Sequence, residues 1–289
     1  MTIESAGIVG AGTMGSGIAQ TLAVAGINVV LIDVDESALE RGLVTLTHSL
    51  QRLIARGTLE PETYDAVLAR IQTSTQYERL THVDLVIEAV TENVDLKICI
   101  LHQIEAAVSS TAIIASNTSS ISITSLGAAL ADASRFIGLH FFNPVPLLPL
   151  VEVIRGVQTS KATVESVHAL GLRLDKSPIS VKNSPGFVVN RILIPMINEA
   201  FFSLAEGIAT AEDIDLGMRL GARHPIGPLA LADLIGLDVC LSVLEVFVKD
   251  FGDPKYRPCP LLRELVAAGR LGRKTGQGVY SYEEPRIII

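Results

Sequence analysis

An apolar run at Ala6–Val9 flows without a break into Gly10-Ala11-Gly12-Thr13-Met14-Gly15, where a helical pattern begins. Glycines in this spacing, between a strand and a helix, each have a physical task. Gly10 permits the tight turn and Gly12 lets the backbone approach a pyrophosphate. Gly15 lets helix and strand pack closely, so that the helix N-terminus faces the phosphate charge. Thr13 and Met14 complete the cofactor loop between them. The next apolar run, Asn28–Ile32, is followed by Asp33, eighteen residues after Gly15. That is where a carboxylate accepts from the adenosine ribose hydroxyls. Asp33 would also repel a 2′-phosphate, so NAD is expected in preference to NADP.

The alternation continues. Further β-branched runs fall at Asp84–Ala89, Ala112–Ala115, Phe136–His140 and Leu150–Ile154. Helical patterns fall at Gly15–Ala25, Glu36–Arg56, Val94–Val108 and Ser122–Leu130, then Ala162–Leu172 before a last run, Pro178–Val181. Continuous apolar strands alternating with amphipathic helices predict an α/β, Rossmann-type, mostly parallel sheet covered on both faces. The turn-rich Lys182–Gly186 marks a boundary. Beyond it the pattern turns helical at Phe187–Gly207, with a kink expected at Pro195, then at Thr210–Leu220, Pro228–Asp233, Leu237–Phe251 and Pro260–Ala268. GVYSY near the end carries the one strand signal there. Residues 1–183 are thus expected to form a dinucleotide-binding domain, and 184–289 an all-helical substrate and dimerisation domain.

The segment Gly138–Ile154 sets one histidine, His140, at the end of an apolar run, and one glutamate, Glu152, inside the next. Asn143, Pro144, Pro146 and Pro149 lie between them. A carboxylate among Leu150, Val151, Val153 and Ile154 is desolvated and needs a partner. If the runs are neighbouring strands, His140 is that partner, and a His–Glu pair is a proton-transfer group. A satisfied core histidine beside a chance strand glutamate is the plainer alternative. Ser119, in Ser116–Ser122, follows a strand end, where it can donate to a substrate oxygen or cap the next helix. Asn190 is a polar amide in an apolar helix that must be bonded to something. Glu92 and Lys97 can pair with each other or meet cofactor. Arg52 and Arg56 stand one turn apart, facing a phosphorylated ligand or solvent.

Composition narrows the classes. Net charge is −8, and without a basic block neither nucleic acid nor an anionic membrane is a fitting partner. The three cysteines, Cys99, Cys240 and Cys259, follow no metal or disulfide spacing. Cys99 and Cys240 read as buried small hydrophobes, and a reducing cytoplasm is the expected location. No leader or membrane-spanning segment is expected. The apolar helical part suggests a homodimer. GRLGRKTGQGVY lacks the spacing of a P-loop.

Seven segments in order resemble the L-3-hydroxyacyl-CoA dehydrogenase family over essentially the whole chain: GIVGAGTMGSGIAQ, IEAVTEN, ASNTSS, GLHFFNPVPLLPLVEVI, NSPGFVVNRIL, ARHPIGPLALADLIGLDVC and GRLGRKTGQGVY. The length and the HPIGPLALADLIGLD segment look most like its short bacterial 3-hydroxybutyryl-CoA branch. The resemblance implies that His140 is the general acid/base and Glu152 its orienting partner. It implies that Ser119 and Asn190 hold the 3-oxygen of a short-chain acyl-CoA, and that Asn143 supports the site near the nicotinamide. Glu92, Lys97 and Asn117 match positions that approach the nicotinamide ribose. Arg52 and Arg56 match CoA-phosphate lysines, with Ala55 where a third often stands. Two other functions remain open: a dehydrogenase of a non-CoA hydroxy acid such as gulonate, and a silent NAD(H)-binding sensor.

Overall fold

In the computed structural model, which describes residues 1–282, eight strands form a single sheet. They are β1 (Ser5–Val9), β2 (Asn28–Ile32), β3 (Ile71–Ser74), β4 (Leu85–Glu88), β5 (Ile113–Ser116), β6 (Phe136–Phe141), β7 (Leu150–Arg155) and β8 (Ser177–Lys182). Their order is β3-β2-β1-β4-β5-β6-β7-β8. Neighbours from β3 to β6 are parallel. The direction then reverses, because β6 and β7 are antiparallel and β8 runs with β7. The reversal follows from the short 142–149 connection: a parallel crossover needs a dozen or more residues.

Helices α1 (Thr13–Val24), α2 (Glu36–Ala55), α3 (Tyr64–Ala69), α4 (Val94–Ala107), α5 (Ile123–Gly127) and α6 (Lys161–Arg173) connect the strands. Two apolar clusters cover the sheet. One joins Ile8, Leu85, Ile87 and Val153 to Ile18 and Leu22 of α1 and Val167 of α6. The other joins Val9, Val86 and Ile154 to Leu101 and Ile104 of α4 and Leu126 of α5. Leu85 and Ile87 facing one way and Val86 the other is the two-residue period of a strand buried on both sides.

β3 and α3 carry no sequence expectation above. β3 (IQTS) is an edge strand with two exposed positions and no apolar run to announce it. Cys99 corrects an expectation: it is exposed, whereas Cys240 and Cys259 are buried. Its neighbours Ile100, Leu101 and Ile104 take the core face of α4, and at about 100° per residue Cys99 turns away.

The chain divides into compact units at Phe187/Val188. The second contains α7 (Val189–Ala205), α8 (Ala211–Gly221), α9 (Pro228–Ile235), α10 (Leu237–Phe251) and α11 (Pro260–Ala267). Ile197, Phe201, Leu229, Leu237, Leu244, Phe247 and Leu262 form its core. α7 runs through Pro195 as one helix. GVYSY forms no strand: only its Ser281 takes part in an isolated bridge, with Gln277, which also bridges Gly272. The last seven residues of the expected 184–289 span lie outside the described residues. No described helix is long and apolar enough to cross a membrane.

Candidate active site

The strand order turns at β1, which pairs with β2 on one side and β4 on the other. In such sheets the crevice beyond the carboxyl ends of these strands takes the ligand. Gly10 stands there with φ +107°, and a Cβ on it would press on the Ala89 carbonyl. A Cβ on Gly15 would run into the Gly10 carbonyl oxygen. Gly12 differs: a Cβ there would meet nothing within 4 Å, so the glycine keeps space open. Gly12 is the N-cap of α1, with no side-chain cap and no acid in the first turn. Every other long helix of this unit is capped by a side chain: Asp35 for α2, Asn93 for α4 and Ser160 for α6. The first N–H groups of α1 are therefore left for an external anion. A dinucleotide pyrophosphate fits this cradle.

Thr13 is exposed and Met14 half-buried at the start of α1. Asp33 closes the loop from the other strand. Its Oδ2 accepts from Ala11 N at 2.7 Å and its Oδ1 from Val34 N at 2.8 Å. Each oxygen keeps a lone pair for a hydroxyl.

His140 and Glu152 are paired in the β6–β7 register. Nδ1 of His140 lies 2.7 Å from Oε2 of Glu152. The histidine is 6% exposed and the glutamate fully buried. A carboxylate only accepts, so Nδ1 carries the hydrogen and Nε2 is left to exchange a proton with a ligand. Phe142 and Phe187 flank the imidazole, with ring centroids 4.5 and 5.7 Å away. The loop between the strands is also held from below. Lys176 donates to the carbonyls of Val145 at 2.7 Å and Leu148 at 2.9 Å. Burial lowers the Lys176 pKa below the usual lysine value, against a small opposing effect of Asp175. Asn143 is exposed on this loop, beside a cis bond to Pro144.

Asn117 joins the two parts of the sheet end: its Oδ1 accepts from Phe141 N at 2.9 Å. Two residues on, Ser119 donates its hydroxyl to Glu92 Oε1 at 2.8 Å. Lys97 lies under Glu92, 1% exposed, and bonds Glu88 Oε1 at 2.7 Å. Glu88 and its second partner, Ser116, are site residues that the sequence reading passed over. The signal was present, since Glu88 is a carboxylate inside an apolar run, as Glu152 is.

His140, Glu152, Asn117, Ser119, Glu92, Lys97, Asp33 and the glycine turn thus share one end of the sheet. Arg52 and Arg56 do not. Both are exposed, in the last turn and at the C-cap of α2. α2 starts just after Asp33, so Arg52 stands about 24 Å along its axis. Asn190 belongs to the helical unit, half-buried as the second residue of α7.

The profile for the 3-hydroxyacyl-CoA dehydrogenase NAD binding domain matches residues 5–184, and that for the C-terminal domain of the same enzymes matches residues 186–282. The chain is 48% identical to 3-hydroxybutyryl-CoA dehydrogenase of Bradyrhizobium diazoefficiens, over 99% of this chain and 98% of that protein. It is 40% identical to the mitochondrial hydroxyacyl-coenzyme A dehydrogenase of Sus scrofa, over 96% of this chain and 90% of that protein. The solved (S)-3-hydroxybutyryl-CoA dehydrogenase of Ralstonia eutropha is similar at 60% identity and TM-score 0.95, covering 98% of this chain and all of that one. Both profiles and these whole-length likenesses agree with the geometry, and the chain belongs to the 3-hydroxyacyl-CoA dehydrogenase family.

Proposed function

We propose that this chain is an NAD-dependent 3-hydroxybutyryl-CoA dehydrogenase, interconverting 3-hydroxybutyryl-CoA and acetoacetyl-CoA. The buried His140–Glu152 bond at the dinucleotide end of the sheet carries the reading. Bound NAD supplies the hydride acceptor for carbon 3 of the substrate. In oxidation, Nε2 of His140 takes the proton of the 3-hydroxyl, and in reduction it returns that proton. Glu152 stabilises the imidazolium formed and keeps the ring in one tautomer. Reduction consumes a proton and oxidation releases one, so acid favours the first and alkali the second. Ser119 meets the 3-oxygen. Arg52 and Arg56 bind CoA phosphate, for which the planar guanidinium is suited.

Asp33 supports NAD over NADP, since an ionised carboxylate repels a 2′-phosphate. Assembly as a homodimer is part of the same reading. Nicotinamide absorbance, followed with acetoacetyl-CoA and either NADH or NADPH, tests it. Rapid oxidation of NADH, slower oxidation of NADPH and little activity on free hydroxy acids are expected. Equal rates on gulonate, or no turnover of any thioester, would overturn it.

A further inference from the structure

Three residues converge on Ala11, in the middle of the glycine turn. Its carbonyl accepts from Ser16 Oγ at 2.9 Å, and Ser16, on the first turn of α1, is 1% exposed. Gly42 of α2 closes over the same oxygen: a Cβ there would lie 2.7 Å from it and 3.0 Å from Ser16 Oγ. On its other side Ala11 donates its N–H to Asp33 Oδ2 at 2.7 Å. Gly10 donates to the Ile32 carbonyl, also at 2.7 Å. Gly10 and Ala11 thus spend their N–H groups inside the protein. Gly12 is the first residue of the turn whose N–H meets no acceptor among the described residues.

The Ala11–Gly12 peptide is trans, so its C=O and its N–H point in opposite directions. Ser16 and Gly42 fix the carbonyl in the junction of α1 and α2. The Gly12 N–H is thereby aimed out of that junction. The space at Gly12 is open, since a Cβ there would meet nothing within 4 Å. Were this peptide to turn over, its carbonyl oxygen would leave the junction and present the negative end of the peptide dipole to an anion in the cradle.

We propose that Ser16 is a positioning residue for the cofactor: by holding the Ala11 carbonyl inward, it makes the Gly12 N–H a donor to the pyrophosphate. The inference rests on the reading that a dinucleotide pyrophosphate occupies the glycine cradle. Ser16 acts through the turn, because it is buried behind the peptide that it holds.

The test separates phosphate binding from the rest of the cofactor site. The full chain is titrated with NADH by fluorescence, and ADP and adenosine are each measured by displacement of NADH. Ser16→Ala weakens NADH and ADP together by about three- to tenfold, less than the full worth of a hydrogen bond to a charged group. Adenosine, which has no phosphate, binds Ser16→Ala as it binds the parent. Ser16→Cys keeps the size and has a weak donor, so its loss falls between the two, and it carries the test if Ser16→Ala fails to fold. In nuclear magnetic resonance spectra of the parent, ADP moves the Gly12 amide proton downfield and adenosine does not. In Ser16→Ala or Ser16→Cys the shift caused by saturating ADP is smaller. An unchanged ADP affinity in both variants, or equal weakening of ADP and adenosine, overturns the proposal. So does a Gly12 amide that ADP leaves in place in the parent. If the parent binds neither NADH nor ADP, the dinucleotide reading fails and not this positioning alone.

Discussion

Glu152 stands directly opposite His140 in the antiparallel β6–β7 pair, and its carboxylate is fully buried. Replacing it by glutamine keeps the volume and removes the charge that stabilises an imidazolium. Glu152→Gln is expected to lower kcat roughly a hundredfold or more, the scale of acid–base assistance. His140→Ala should lose as much, and the double variant little more, since the two act as a unit. NADH affinity by fluorescence titration should stay within about threefold in both single variants. Turnover within about tenfold of the parent in His140→Ala would remove His140 from the chemistry.

Two glycines of one motif should fail in different ways. Gly12 has φ −68° and open space at its Cβ position. Gly12→Ala should melt within a few degrees of the parent, while the added methyl fills the pyrophosphate cradle and weakens NADH binding about tenfold or more. In Gly15→Ala the new Cβ overlaps the Gly10 carbonyl, so α1 must move off β1. A stability loss of about 2 kcal/mol or more is expected in denaturant unfolding.

Arg52 and Arg56 are exposed and remote from the glycine turn. Arg52→Ala/Arg56→Ala should raise KM for acetoacetyl-CoA severalfold, with kcat and thermal stability nearly unchanged. The effect should shrink as salt is raised, because the contact is between exposed charges. A KM that does not move would place the CoA phosphates elsewhere.

The glycine-rich segment near the C-terminus is held by Asp233, which is 1% exposed. The carboxylate accepts from Val279 N, Tyr280 N and the Tyr282 hydroxyl, each at 2.9 Å. Asp233→Ala leaves two half-buried backbone donors without their acceptor. About 3 kcal/mol of stability should be lost, seen as a fall in Tm of roughly 5–10 °C. NADH affinity should be unaffected.

The cysteines differ in reactivity by burial. Burial pushes the Cys240 thiol up to about 12. The thiolate is the reactive form, so raising the pKa lowers reactivity at a given pH. At pH 8 roughly one Cys240 in ten thousand is ionised. Iodoacetamide at that pH should alkylate exposed Cys99 alone in the native protein, and all three cysteines after denaturation, as mass spectrometry would count.

Legibility in the sequence depended on whether a residue's partners are close along the chain or far from it. β2 was read at its observed ends because a full apolar run announces a strand buried on both faces. β3 was not, because an edge strand keeps polar residues on its open side. The His140–Glu152 bond was readable because each residue is an isolated ionisable group in an apolar run, a short loop apart. Lys97 was legible only in part: the expected pair with Glu92 is present, at 3.4 Å. Its nearest acid on the loop is Glu92, but its tightest partner is Glu88, nine residues back on a buried strand. Helix period, strand pleat and loop path together set that distance, and no single pattern in the sequence states it.

The hairpin of β6 and β7 brings both halves of the proton-handling pair from within twelve residues of chain. A change of length in a surface loop outside this hairpin leaves the two groups facing each other, so what grips a ligand can vary without moving the pair that handles the proton.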